Sequence, residues 1–141
     1  MKLLIDTNVI LDMVLERRGY GVSMELFRKI KEYGIDAYIT ASTVTDLFYI
    51  IRKELHNTDR TYFVMRNIFR LVTVLSVTEK DIMDAFEKKW KDFEDCVQYM
   101  SGKNSGIDYI VTANQKDYEN AQISVLTPQA CIELIQSSQL E

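Results

Sequence analysis

Short apolar runs alternate along this chain with longer stretches in which apolar positions recur every three or four residues. Lys2-Leu3-Leu4-Ile5 reads as a short buried strand, and the turn-prone Asp6-Thr7-Asn8 leads from it into an apolar run of Val9, Ile10, Leu11, Met13, Val14 and Leu15, a strand-to-helix junction. After a loop with two glycines, Arg17-Arg18-Gly19-Tyr20-Gly21, Met24, Phe27 and Ile30 keep helical spacing until Gly34 ends the pattern. Residues 36–40 then predict a second strand. From Thr43 onward Val44, Leu47, Phe48, Ile51 and Leu55 form one amphipathic stripe, which His56-Asn57 breaks. A further helix is expected over 59–70 and a third strand, rich in β-branched residues, over 71–77. Thr78 can cap a helix running toward Trp90, and Asp92 another through Met100. The last strands fall at 109–112 and 123–126, and Thr127-Pro128 opens a final helix carrying Cys131, Ile132, Leu134 and Ile135.

The resulting order is β-α-α-β-α-α-β-α-α-β-β-α. Short apolar strands separated by helices imply a mainly parallel sheet covered on both faces, with right-handed crossovers. The expected fold class is α/β, a three-layer α/β/α sandwich around four to five short strands. At 141 residues with 47% hydrophobic composition, residues 1–141 are expected to form one domain that buries its own core. No repeat, linker or low-complexity segment divides them.

Charge and cysteine usage narrow the function classes. With 21 acidic against 17 basic residues the net charge is -4, so nucleic acid would have to be met by a local basic rim and not by a global positive field. Cys96 and Cys131 lie far apart without CxxC spacing, which suggests buried thiols and neither a zinc site nor a disulfide framework. No apolar stretch approaches the roughly 20 residues of a membrane span, and Asp6 cuts the opening run before it could act as a signal core. A cytoplasmic protein without membrane association is expected.

In such folds ligands bind outside the carboxyl ends of the strands, and the residues that follow the predicted strands are acidic. Asp6 follows the first strand. Asp46 is placed in the first turn of the helix after the second, Asp95 at a helix start on the same side, and Asp117 beyond the fourth strand. Each has a structural explanation taken singly: an Asx turn for Asp6, capping near Thr43 for Asp46, the positive helix end for Asp92-Phe93-Glu94-Asp95, and a polar turn for Asp117. Their agreement on one sheet edge favours function. Carboxylates that converge repel one another unless protons or a cation compensate, and all-oxygen ligands select hard ions such as Mg²⁺ or Mn²⁺. That combination suits hydrolysis of a phosphodiester by metal-activated water.

Other hydrolase designs are disfavoured. His56 is the sole histidine, so two-histidine acid–base chemistry is impossible within one chain, and a serine or cysteine nucleophile would need that same histidine or an unusual base. Gly102-Lys103-Asn104-Ser105-Gly106 lacks the GxxxxGK[ST] order of a phosphate loop.

These blocks, in this order, resemble a PIN domain, the fold of the VapC-like toxins and related nucleases. Leu3-Leu4-Ile5-Asp6-Thr7-Asn8-Val9-Ile10 is similar to the family's opening strand and DTN; Phe93-Glu94-Asp95-Cys96-Val97-Gln98 is similar to its helix-start stretch. Ile107 to Asn114 followed by Asp117-Tyr118 is similar to the late strand, TRN-like turn and Asp-aromatic pair, and Val125-Leu126-Thr127-Pro128 to the closing segment. The resemblance covers almost the whole chain. It implies that Asp6, Asp95 and Asp117 are metal ligands for Mg²⁺ or Mn²⁺, that Asp46 completes the acidic pocket, and that Thr7, Asn8, Thr112 and Asn114 support it. The departure is at Asp46, where many members carry the longer glutamate. The implied activity is an endoribonuclease on single-stranded or loop RNA, leaving a 3′-hydroxyl and a 5′-phosphate, with an antitoxin protein as partner and a homodimer as the assembly.

Candidate substrate contacts are Arg17, Arg18, Arg52, Lys53, Lys103 and Lys116, set against the reading that they are solvated surface charges. Tyr99 and Tyr118 could stack bases or simply pack. The Leu and Phe residues of 41–70 could form a dimer surface or simply core. Two other functions compete with the nuclease. One is a catalytically weak or inactive PIN-fold module that binds RNA or a protein partner. The other is a phosphate-handling α/β protein phosphorylated on Asp6, which Asn8 disfavours because the phosphatase pattern wants a second aspartate there.

Overall fold

The computed structural model describes residues 1–139. Its strands are β1 (Lys2–Ile5), β2 (Asp36–Thr40), β3 (Thr73–Leu75), β4 (Tyr109–Val111) and β5 (Ser124–Leu126). The helices are α1 (Thr7–Val14), α2 (Tyr20–Tyr33), α3 (Ala41–Leu55), α4 (Thr58–Leu71), α5 (Glu79–Lys88), α6 (Phe93–Asn104) and α7 (Pro128–Ser138), with a 3-10 turn at Gln115–Tyr118. The element order is the one the hydrophobic pattern predicts.

All strand pairings are parallel, in the order β3-β2-β1-β4-β5. Leu3 is paired with both Ala37 and Tyr109, so β1 is central. The chain winds outward from β1 through β2 to β3, then returns to the other side of β1 for β4 and β5. Chain direction across the sheet therefore reverses between β1 and β4, and that crevice at their carboxyl ends is where an open α/β sheet leaves room for a ligand.

Successive strand side chains point to opposite faces, and β1 divides the core accordingly. Leu3 and Ile5 join Ile39 and Val111 under helices α1, α2, α3, α4 and α7, while Leu4 joins Ile110, Cys96, Val97, Tyr99 and Met100 beneath α5 and α6. Three layers result. Helix α6 lies close to the sheet because Gly102 has no side chain: a Cβ there would sit 2.8 Å from Leu4 Cδ2. Both cysteines are free and buried.

The local stops and starts follow capping chemistry. Gly34 closes α2 in the left-handed region at φ 62°, which glycine adopts without Cβ strain. His56 ends α3 at φ 53°, and Asn57 then caps α4 by accepting from Arg60 N. Thr78 and Asp81 form a reciprocal capping box on α5, and Thr127 caps α7 ahead of Pro128.

Three expectations shift. The third strand is shorter than 71–77, because α4 keeps its hydrogen bonds through Leu71 and only 73–75 pair with β2. Helix α2 begins at Tyr20, inside the expected loop, and buries Ser23 and Leu26 with Phe27 and Ile30, leaving Met24 half-buried. Helix α3 begins at Ala41 and not near Thr43, since Thr40 at the end of β2 caps it by accepting from Thr43 N at 3.3 Å. Asp46 consequently lies in the second turn, not the first, and takes no part in the cap.

Candidate functional site

The geometry begins where β1 and β4 end side by side. Asp6 N donates to Val111 O at 2.9 Å, which locks the first residue after β1 to the last residue of β4. Asp6 is the N-cap of α1 and its Oδ1 accepts from Thr7 N at 2.8 Å. Gln98 Nε2 donates to the same oxygen at 3.4 Å, and Thr112 Oγ1 donates to Oδ2 at 2.8 Å. The carboxylate is only 3% exposed. Burial pushes its pKa up, and the hydrogen bonds from Thr112, Gln98 and Thr7 hold it down in part.

Asp95 occupies the first turn of α6, whose N-cap is Asp92; Asp95 N donates to Asp92 Oδ1 at 3.1 Å. Its side chain accepts from the Tyr118 hydroxyl at 3.4 Å. Burial first, then the carboxylates of Asp6, Asp92 and Asp117, raise its pKa to about 7. Tyr118 lies deep in the core, and burial together with Asp6 and Asp95 raises its phenol pKa, so it stays a donor. Asp117 is carried by the 3-10 turn, and Asn114 Nδ2 donates to its Oδ1 at 3.1 Å. Asn114 N in turn donates to Thr112 Oγ1 at 3.1 Å, so one hydroxyl ties the Asp6 carboxylate to the Asp117 loop.

Asp6, Asp95, Asp117 and Gln98 border one cavity of about 360 Å³. Six carboxylates line it: Asp6, Asp46, Asp92, Glu94, Asp95 and Asp117. None of the lining residues is Lys, Arg or His. Asp46 reaches it from α3, with its pKa raised by burial, and the Asp46 carboxylate is the largest cause of the raised pKa of Glu94. All four aspartates read from the sequence thus meet at one place, with Thr7 and Asn8 in the wall and Thr112 and Asn114 behind it. Thr7 Oγ1 donates to buried Thr43 Oγ1 at 3.3 Å, joining α1 to α3 beside the cavity.

The donor chemistry fits a hard cation, since every ligand atom on offer is oxygen. Gln98 adds a second sign: its Oε1 is buried without a hydrogen-bond partner in a residue that lines the cavity. The spacing is open, however. Among the described residues no three Asp, Glu, His or Cys side chains converge into a ready-made cage. The residues therefore suit an ion that keeps part of its water shell, as Mg²⁺ does, better than a fully dehydrated one.

Gln98, Glu94 and the Tyr118 hydroxyl are contributions that the sequence pattern leaves without a role. Gln98 stands three residues after Asp95, on the same helix face, and Tyr49 stands three after Asp46; both spacings place a residue beside a carboxylate already singled out. Tyr99 and Tyr118, considered as base-stacking rings, are 1% and 2% exposed and belong to the core. On α3 and α4, Leu47 and Ile51 are core, whereas Tyr49, Tyr62 and Phe63 are exposed. Of the basic residues, Arg17 and Arg18 are exposed in the α1–α2 loop and line neither this cavity nor its neighbour. Arg52 and Lys53 border a different cavity with His56. Lys103 Nζ lies 5.9 Å over the Tyr99 ring and donates to Gln122, again away from the carboxylates. Lys116 alone among them borders the acidic site, through a second cavity that shares its wall.

A parallel α/β sheet with a carboxylate-lined cavity at its switch point defines the class of protein. The family model of the PIN domain matches residues 2–116, and the chain belongs to that family. It is 25% identical over 132 residues to Ribonuclease VapC1 of Aquifex aeolicus, covering 89% of this chain and 90% of that protein. The solved structure of PAE2754 from Pyrobaculum aerophilum superposes with a TM-score of 0.69 at 11% identity, covering 97% of this chain and 96% of that one. A toxin-antitoxin complex from Klebsiella pneumoniae matches with a TM-score of 0.63 at 19% identity, over 89% and 97% of the two chains. Among the described residues no helix is long and apolar enough to cross a membrane.

Proposed function

We propose that this protein is a metal-dependent endoribonuclease acting through its aspartate cluster, and that it serves as the toxin of a toxin-antitoxin pair. The observation that carries the reading is the cavity at the β1–β4 crevice, where two buried carboxylates, Asp6 and Asp95, share one uncompensated acidic space with Asp46, Asp92, Glu94 and Asp117. A protein tolerates that arrangement when protons or a cation offset the charge, and a site kept acidic in this way suits a cation-dependent reaction. The likeness to Ribonuclease VapC1 supports RNA as the substrate.

Asp6, Asp95 and Asp117 would hold a Mg²⁺ or Mn²⁺ ion, with Asp46 completing the acidic lining. Such an ion would supply activation of water and charge neutralisation at the phosphate when bound. The chain's own residues do the rest. Thr112, Gln98 and Thr7 N fix both oxygens of Asp6 in place and favour its ionised form. Tyr118 and Asn114 orient Asp95 and Asp117. Asp46 and Glu94, less buried and close enough for the charge of one to raise the pKa of the other, would accept a proton from the attacking water and return it to the leaving oxygen. An antitoxin would act by covering the mouth of this cavity; the likeness of the fold to a toxin-antitoxin complex supports the existence of such a partner. The protein would work as a homodimer in the cytoplasm.

One observation favours a second reading. The absence of a tight three-residue cage among the described residues, with Asp46 in place of a longer acid, suits a PIN module that binds RNA or a protein partner without cutting. Multiple turnover separates the two. Wild-type protein at one-hundredth of the substrate concentration should cleave RNA with Mn²⁺ or Mg²⁺, leave 3′-hydroxyl and 5′-phosphate ends, and stop with chelator. Stoichiometric binding with no product under any metal would establish the binding module instead.

A further inference from the structure

Beside the carboxylate-lined cavity lies a larger one of about 690 Å³, and Asp92, Glu94 and Asp117 form the wall common to both. This volume falls in the range of roughly 300–1,000 Å³ that small-molecule sites occupy. The rest of its lining differs in character: Trp90, Lys91, Phe93, Lys116, Glu119 and Asn120. Two lysines against one glutamate give that part a net charge of +1, whereas the first cavity is lined by carboxylates alone among charged groups. A polyanion held at the acidic site through a cation would find Lys91 and Lys116 in the adjoining cavity.

The aromatic pair is built to present rings. Lys89 ends α5 in the left-handed region at φ 55° and swings the chain so that Trp90 falls between α5 and α6. The Trp90 ring stacks on buried Tyr99 at 5.0 Å between centroids and 12° between planes, and meets Tyr118 edge-on at 6.2 Å. Trp90 is thus held by the core on one side and is half-buried where it lines the cavity. Tyr118 is the residue whose hydroxyl reaches Asp95, so this platform and the candidate catalytic carboxylate share one support. Phe93 is 44% exposed and is steadied by an edge contact with Phe86 at 6.1 Å. Rigid aromatic faces next to cations are what unpaired bases stack on, with little ordering cost. A duplex base, with both faces already stacked, cannot use them.

We propose that this second cavity is a nucleotide subsite for single-stranded RNA. It seats a base next to the scissile position against Trp90 and Phe93, and an adjoining phosphate between Lys91 and Lys116. The proposal rests on the ribonuclease reading for the identity of the strand, but its test does not need cleavage.

Trp90 is the only tryptophan in the chain, so its emission reports on this cavity alone. The full chain is titrated in chelator with an unlabelled mixed-sequence octaribonucleotide, and the same oligonucleotide carrying a dye is followed in parallel by anisotropy. Saturable quenching of Trp90 is expected at the concentration where anisotropy rises. Phe93→Ala and the double variant Lys91→Ala/Lys116→Ala should each weaken binding by roughly 5- to 100-fold, and the double variant should flatten the salt dependence. In cleavage assays with metal the same variants should raise KM far more than they change kcat. Phe93 is exposed, so its variant is expected to fold even if Trp90→Ala does not. Binding seen by anisotropy with Trp90 emission unchanged, or no binding by either readout, would overturn the subsite. Wild-type cleavage with unaltered KM in the variants would overturn it too, while leaving the nuclease reading intact. Quenching that the variants weaken, without cleavage under any metal, would support the subsite and overturn the nuclease.

Discussion

Replacing Asp95 by asparagine should make the metal-free protein more stable. Asp95 is held with its pKa raised from 3.8 to about 7 by burial and by Asp6, Asp92 and Asp117. A group whose native pKa lies above its unfolded value binds its proton more tightly in the folded state, so its ionised form costs stability. The cost is absent near pH 4, grows as pH rises between the two values, and is complete above about pH 7. Three units at 1.36 kcal/mol each set a ceiling of roughly 4 kcal/mol. Solvent at the mouth of an open, salt-screened cavity lowers this to about 1–2 kcal/mol. Asparagine keeps the shape and can still accept from Tyr118, while removing the charge. Thermal unfolding in chelator at pH 8 should therefore show the Asp95→Asn protein melting about 3–8 °C above wild type, with the gain vanishing toward pH 4. Mn²⁺ should stabilise wild type and close the gap, because an ion that binds only the folded state adds stability by mass action. A variant less stable than wild type at pH 8, or a gain independent of pH, would refute the electrostatic account of this cavity.

Further outcomes follow from single contacts. Thr112→Val keeps the shape but removes the donor to Asp6 and the acceptor for Asn114 N; about 1–3 kcal/mol of stability at pH 7 should be lost in urea unfolding, together with most cleavage. Gln98→Met leaves Asp6 Oδ1 with one donor fewer and removes the unpartnered Oε1, so Mn²⁺ affinity measured by calorimetry should fall several-fold while chelated stability changes by less than about 1 kcal/mol. Unchanged affinity would remove Gln98 from the site. Gly34→Ala forces a Cβ into the left-handed cap of α2 and should cost about 1 kcal/mol in denaturant titration, with cleavage untouched because Gly34 lies away from the β1–β4 crevice. Thr78→Ala breaks the capping box and should cost roughly 0.5–2 kcal/mol by the same titration, again without effect on cleavage.

The parts of the molecule that the chain's pattern announces are those governed by local rules. Strand and helix order follows from apolar periodicity, and Gly34, His56, Asn57, Thr78, Asp92 and Thr127 act at the helix ends where their chemistry places them. Asp6, Asp95 and Asp117 could be placed on one sheet edge because parallel topology sends every strand's carboxyl end the same way. Asp46 was set one turn early, since Thr40 competes with Thr43 as the cap and a single hydroxyl decides the helix start. The contributions of Gln98, Glu94 and Tyr118 were not legible, because an amide, a first-turn acid and an aromatic ring each have common structural uses, and only the three-dimensional contact with Asp6, Asp46 or Asp95 separates the roles. The lysines failed as guides for a related reason: exposed charge is everywhere along the chain, and only Lys91 and Lys116 border the acidic wall.

The proposed role of the buried carboxylates at the β1–β4 crevice is RNA cleavage. It is tested most directly by incubating a mixed pool of labelled RNA with purified protein in Mn²⁺, Mg²⁺ or chelator, alongside Asp6→Asn and Asp95→Asn proteins shown by circular dichroism to be folded. Wild type is expected to show metal-dependent cleavage that disappears in chelator and in both folded variants. Cleavage that persists in either variant at the wild-type rate would contradict that role.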